Sequence, residues 1–136
     1  MQNRKLQSSI YPFSCNKYDG EYFPFTDNSF DKFLSSLVFH HLPTAVKKIA
    51  WREIFRVLKP GGELHVADFG KGRNWYTKLA FKIVRRIDGE ENTRINAQGL
   101  PPAYIVDAGF SNVRETVNFN TAFGTVVLIK AAKHEP

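Results

Sequence analysis

Between Phe30 and Phe69 the hydrophobic period changes twice, and nothing else in the chain constrains its fold as tightly. The run Phe30-Asp31-Lys32-Phe33-Leu34-Ser35-Ser36-Leu37-Val38-Phe39 is nearly continuously apolar, as in a strand covered on both faces. From Thr44, a suitable N-cap, the period becomes helical. Val46, Ile49, Ala50, Ile54 and Val57 recur at spacings of three and four, while Lys47, Lys48, Arg52 and Arg56 fall largely off that stripe. Pro60 cannot extend the helix, and Gly61-Gly62 permits a tight reversal. Leu64-His65-Val66-Ala67-Asp68-Phe69 then reads as a second strand. Strand, crossover helix and strand with short connections make the βαβ unit of a parallel sheet.

The flanks are read around that unit. Residues 1–22 carry no clean period, and Pro12 leaves Ile10-Tyr11-Pro12-Phe13 only an edge-strand reading. Pro24 to Ser29 is a turn, because Asp27, Asn28 and Ser29 bond nearby backbone. Gly70-Lys71-Gly72 ends the second strand. Trp75–Ile87 is a second helix, with a wide apolar face and Lys78, Lys82, Arg85 and Arg86 in the gaps. After a polar stretch, Pro101–Ala108 is a short helix with Gly109 just past its end. Strands near Ser111–Phe119 and Phe123–Ala131 are joined tightly through Asn120-Thr121, so they pair antiparallel. The predicted fold is α/β, a mostly parallel sheet with an antiparallel C-terminal strand.

Composition removes several function classes. At 136 residues, 43% hydrophobic and 24% charged, the chain suits one folded domain. No apolar run approaches the roughly 20 residues of a membrane-spanning helix. Met1-Gln2-Asn3-Arg4-Lys5-Leu6 has no apolar core behind its basic residues, unlike a signal peptide. The single Cys15 forbids an intramolecular disulfide or a Cys-rich zinc site, and a reducing, cytoplasmic setting is expected. The excess of 19 Lys+Arg over 13 Asp+Glu suits nucleic acid, an anionic membrane surface or an anionic small molecule without choosing among them. Neither a stacking platform nor a recognition helix is visible, so no nucleic acid is expected.

Three blocks carry a resemblance. Phe23-Pro24-Phe25-Thr26-Asp27-Asn28-Ser29-Phe30-Asp31, then Ser35-Ser36-Leu37-Val38-Phe39-His40-His41-Leu42, then Arg52-Glu53-Ile54-Phe55-Arg56-Val57-Leu58-Lys59-Pro60-Gly61-Gly62 resemble the class I S-adenosylmethionine-dependent methyltransferases. The likeness is narrower to the ubiquinone/menaquinone biosynthesis C-methyltransferase group. It is strong from Asp19 to Phe69 and looser at Asp107-Ala108-Gly109-Phe110 and Phe123-Gly124-Thr125. The family opens with a strand ending in a Gly-rich loop, and no Gly precedes Gly20 here. The resemblance therefore implies a truncated Rossmann-like methyltransferase sheet. Residues 1–136 would be the C-terminal portion of one domain, with 1–18 an irregular arm. It also implies S-adenosyl-L-methionine as cofactor, held only weakly by this chain alone. The expected partners are a small-molecule or lipid-like methyl acceptor and a second copy or complementing N-terminal half.

Carried over by position, Asp19 and Gly20 match the family's acidic-small pair at the adenine. Asp-Gly is equally a common turn pair. Ser36 matches the residue lining the cofactor crevice, or is a small residue packed beneath a helix. His40 and His41 follow the strand, where carboxyl ends of parallel strands gather ligands. As adjacent residues without a third ligand they make a poor metal pair, and no metal site is expected. One of them suits a general base; the plainer alternative has one capping the loop and the other exposed. Asp68, ending the next strand, is either a third catalytic candidate or a loop cap. Trp75 and Tyr76 fall where the family borders its acceptor pocket. Lys59-Pro60-Gly61-Gly62 follows a helix and precedes a strand, the reverse of a phosphate loop, and is a structural turn. Two rival readings stay open. One is a non-catalytic remnant or partner subunit. The other is a basic module in which Trp75–Ile87 lies on an anionic membrane as a peripheral contact.

Overall fold

A computed structural model describes residues 15–18, 21–70, 102–121 and 124–134. The expected strand Ile10–Phe13 and helix Trp75–Ile87 lie outside them. Strand β1 (Phe30–Ser36) leads through a 3₁₀ turn (Phe39–His41) to helix α1 (Thr44–Val57), which runs directly into β2 (Leu58–Phe69). Helix α2 (Pro102–Asp107), β3 (Ser111–Thr121) and β4 (Gly124–Ala132) follow. The four strands form one sheet in the order β1-β2-β4-β3. β1 and β2 are parallel, and β4 is antiparallel to both β2 and β3. The α/β fold with a βαβ unit and an antiparallel final strand is as expected.

The core lies on the helical face of the sheet. Leu58, Leu64 and Val66 of β2 and Val127, Ile129 and Ala131 of β4 alternate inward, and Ala50, Trp51 and Ile54 of α1 and Ile105 of α2 cover them. Their burial removes apolar area worth about 25 cal/mol per Å². Glycine is required where β2 ends: a Cβ on Gly70 would stand 2.4 Å from Val127 Cγ1. The C-terminal carbonyls of α1 are closed by a distant residue. Lys133 Nζ donates to Phe55 O and Leu58 O, both at 2.8 Å, and to Asn28 Oδ1 at 2.9 Å.

Four details differ from the sequence reading. Among the described residues β1 is covered on one face only; Lys32, Leu34 and Ser36 are exposed because both described helices share the opposite face, and Asp31 is exposed near the start of the strand. Within α1, Trp51 is fully buried and Lys47 is buried, while Ile49 is exposed, so the inward stripe is rotated from the expected one. Thr44 does not cap the helix. Pro43 holds that position with no side-chain bond, and the Thr44 hydroxyl is buried without a partner. The Gly61-Gly62 reversal is folded into β2 as a bulge: Phe30 faces Leu58, whereas Lys32 faces Glu63. Gly61 there takes φ 77°, a left-handed conformation that glycine adopts without steric cost. The predicted turn at Pro24–Ser29 forms as expected, with Ser29 Oγ donating to Thr26 O at 2.6 Å.

Candidate functional site

The parallel pair sets the site. At the carboxyl ends of β1 and β2, the chain leaves β1 with Leu37 at φ 53° while the Leu37 N–H still donates to Ala67 O at 2.8 Å. That departure turns Phe39–His41 back across the end of β2. Phe39 anchors the turn by stacking on Trp51 at 3.9 Å between ring centroids, and both rings are buried. His40 is thereby brought to Asp68, 28 residues away in sequence.

Asp68 is fully buried, and its carboxyl group is met by two backbone N–H donors and by the His40 ring. Oδ2 accepts the His40 backbone N–H at 3.1 Å, and Oδ1 accepts the Phe69 N–H at 2.8 Å. Oδ1 also lies 2.7 Å from His40 Nδ1. The two backbone N–H bonds offset part of the cost of burying this carboxyl group. The His40 ring stands edge-on to Phe69 at 4.8 Å and has the exposed His41 ring against it at 3.7 Å. Lys47, buried on α1, feels the Asp68 charge; burial pushes its ammonium below the usual lysine range, and the carboxylate opposes that shift. The two histidines share one face of the turn instead of diverging.

Ser36 ends β1 on the sheet face opposite the helices, exposed and beside exposed Leu37 and Val38. The ledge of Ser36, Leu37 and Val38 offers a hydroxyl and apolar contact area. Such a donor set fits an adenosyl group attached to a positively charged sulfonium. The structure thus brings His40, His41 and Asp68 together and sets Ser36 at the neighbouring strand end. Asp19, Gly20, Trp75 and Tyr76 lie outside the described residues. Among those residues no group of three or more His, Cys, Asp or Glu could hold a metal ion.

Sequence reasoning missed Phe69 and Lys47 as parts of this cluster. Phe69 carries a usable signal, since it follows Asp68 at a strand end. Lys47 carries none, because the helical stripe sets it outside the core.

A second cluster surrounds Arg56. Its Nε and Nη2 fork onto Glu53 at 2.9 and 2.8 Å, and Nη1 reaches Asp27 Oδ1 at 2.7 Å and Phe25 O at 2.8 Å. Nη2 also donates to Phe23 O at 3.1 Å, and Glu53 accepts the Phe23 N–H at 2.9 Å. One arginine of the third sequence block therefore pins the first block to α1.

Comparison with known proteins finds likeness in both sequence and fold. A family model described as a methyltransferase domain matches residues 1–66. The ubiquinone/menaquinone biosynthesis C-methyltransferase UbiE of Enterobacter sp. (strain 638) is 33% identical over 133 residues, covering 85% of this chain and 51% of that protein. The protein of the same name from Pasteurella multocida (strain Pm70) is 32% identical, with 85% and 48% covered. The chain thus spans about half the length of the curated relatives it matches. Among solved structures, a SAM-dependent methyltransferase of Methanosarcina mazei superposes with a TM-score of 0.64 at 20% identity, over 96% of this chain and 74% of that one. Phosphoethanolamine N-methyltransferase 2 of Haemonchus contortus, in complex with S-adenosyl-L-methionine, gives 0.59 at 15% identity, over 83% of this chain and 35% of that one. The structural likenesses carry the fold, and the family model and sequence relatives make the chain similar to the class I S-adenosylmethionine-dependent methyltransferases.

Proposed function

We propose that this chain serves S-adenosylmethionine-dependent methyl transfer to a small-molecule acceptor, as the C-terminal portion of a methyltransferase domain. The observation that supports the reading is the His40–Asp68 contact at the carboxyl ends of a parallel strand pair, where open α/β sheets bind ligands, with Ser36 ending the neighbouring strand. The cofactor, when bound, supplies an electrophilic methyl group. The chain's own residues would orient it and the acceptor and exclude water, the main protein contribution to an in-line displacement. Asp19 would accept the adenine amino hydrogen, Gly20 would leave backbone open to the ring, and Ser36 would line the crevice. Trp75 and Tyr76 would border the acceptor. Among the described residues β1 pairs only with β2, which supports assembly with a further strand, from a second copy or a complementing half.

Calorimetric titration tests this. The chain is titrated with S-adenosylmethionine alone and together with the N-terminal half of the Enterobacter relative in trans. Weak binding alone and one-site binding in the mixture are expected, and Asp19→Ala should weaken the latter by about 1–3 kcal/mol. Absence of binding in both arms would remove the reading.

A further inference from the structure

We propose that the cleft between α1 and α2, on the outer side of the helical layer, binds a protonated phosphate group. Lys48 and Arg52 hold its negative oxygens, and Asp107 accepts its hydroxyl hydrogen. The cleft has a volume of about 70 Å³ and is lined by Lys48, Arg52, Tyr104, Asp107 and Ala108. That is about twice the share of one water in the liquid, enough for a single tetrahedral oxyanion. Lys48, Arg52 and Asp107 are exposed, so the rest of a phosphate monoester can lie in solvent. None of these residues belongs to the His40–Asp68 cluster, and the site is separate from the proposed methyl transfer.

Each charged group in the cleft stands where its own helix disfavours it. Lys48 and Arg52, four residues apart on α1, are like charges on neighbouring turns of one face. Asp107 ends α2, where a negative charge opposes the helix dipole. Opposite charges thus line one small cleft, yet neither cation is ion-paired with Asp107 or with another carboxylate among the described residues. Arg56, Lys59 and Lys130, by contrast, each meet a carboxylate. The Lys48 ammonium stands 5.3 Å from the centre of the Tyr104 ring, within cation–π range, and Tyr104 packs against the core. One wall of the cleft is therefore anchored.

A ligand that accepts from two cations and donates to a carboxylate satisfies all three side chains at once. Hydrogen phosphate and a singly protonated phosphate monoester have that combination. Sulfate has the same shape and the same negative oxygens but no hydrogen to give, so Asp107 repels it.

The test uses the full chain, labelled with nitrogen-15, at about pH 6, where a phosphate monoester keeps its last hydrogen in roughly half of its molecules. Sodium phosphate or sodium sulfate replaces sodium chloride at constant ionic strength, so general screening does not change. Phosphate should shift the backbone amides of Lys48, Arg52, Tyr104 and Asp107 saturably in the millimolar range, with sulfate about tenfold weaker. Arg52→Gln should weaken phosphate about tenfold, and Asp107→Asn should bring sulfate close to phosphate. Circular dichroism checks that each variant keeps its fold; were Arg52→Gln to lose it, Lys48→Gln carries the same expectation. Exposed Ile49 and Val106, the sequence neighbours of Lys48 and Asp107, make a lipid-borne phosphate worth separating from a free one. Phosphatidylcholine vesicles are therefore doped with phosphatidic acid, a monoester, or with phosphatidylglycerol, a diester without the hydrogen. Sedimentation with the first and not the second assigns a lipid headgroup; saturation by sodium phosphate without that preference assigns a free phosphate. Equal action of phosphate and sulfate on the wild type, shifts that do not saturate, or unchanged phosphate affinity in a folded Arg52→Gln would each overturn the site.

Discussion

Arg56 shows how much a single side chain can hold. Its guanidinium spends its donors on one carboxylate fork, a second carboxylate and two backbone carbonyls, and its plane lies 4.4 Å from the Tyr22 ring. With four-fifths of the side chain shielded, these bonds are worth more than surface ion pairs. The Glu53 carboxyl is held below its usual range, first by its hydrogen bond from Arg56. Replacing Arg56 with Ala leaves that carboxylate with only the Phe23 N–H and frees the segment from Tyr22 to Asp27. A loss of about 2–3 kcal/mol is expected from urea unfolding, and Arg56→Lys should recover less than half of it, since an ammonium cannot fork. Equal stability of Arg56→Lys and wild type would show that the planar geometry contributes nothing. None of this was legible in sequence, where Arg56 read as a solvated position on the polar face of a helix.

At the scale of elements, Glu63 ties three strands on the sheet face opposite the helices. It pairs with Lys130 of β4, lies 3.4 Å from Lys32 of β1, and lies 3.0 Å from Nε2 of His65 of β2. Lys130 foremost, then His65, pulls its carboxyl down to about 2. A carboxylate depressed in the folded state stabilises fully above its unfolded range, near 4.5, and loses that contribution as pH falls towards 2. Wild type should therefore lose stability across that window more steeply than Glu63→Gln, as read by denaturant midpoints at successive pH values. Parallel curves would sink the claim. The elements themselves were largely legible. The period changes at Phe30, Thr44 and Leu64 located β1, α1 and the C-terminal half of β2, and the tight connection at Asn120-Thr121 implied the antiparallel β3–β4 pair. The orientation of α1 was not, because Trp51 sits off a stripe drawn through aliphatic residues and its stacking on Phe39 is a tertiary event. The site was half legible: His40 and Asp68 stood out separately as strand-end residues, but their contact depends on the left-handed turn at Leu37, which no pattern announces.

For the whole molecule the decisive feature is the outer edge of β1. Among the described residues this seven-residue strand pairs only with β2, so its second row of N–H and C=O groups has no ladder. Leu34 is 75% exposed, and Leu37 and Val38 beyond the strand are 43% and 48% exposed. An edge unpaired among the described residues is a template for a further strand; Asp31 and Lys32 put charge near its start, whereas Phe33 to Ser36 carry neither charge nor proline. A second copy can satisfy it about a two-fold axis perpendicular to the sheet. Pairing centred on Leu34 sets Leu34 against its own equivalent and Lys32 against Ser36, whereas pairing centred on Lys32 would set two lysines face to face. The chain is therefore expected to associate with rising micromolar concentration, its mass by light scattering climbing above 15.6 kDa during size-exclusion chromatography. Leu34→Lys should return it to a monomer without loss of secondary structure, because the substituted side chain projects from an exposed position. Wild type eluting as a monodisperse monomer across that range, with a sharp thermal transition, would mean that the edge needs no partner strand, and the assembly drawn from it would fail.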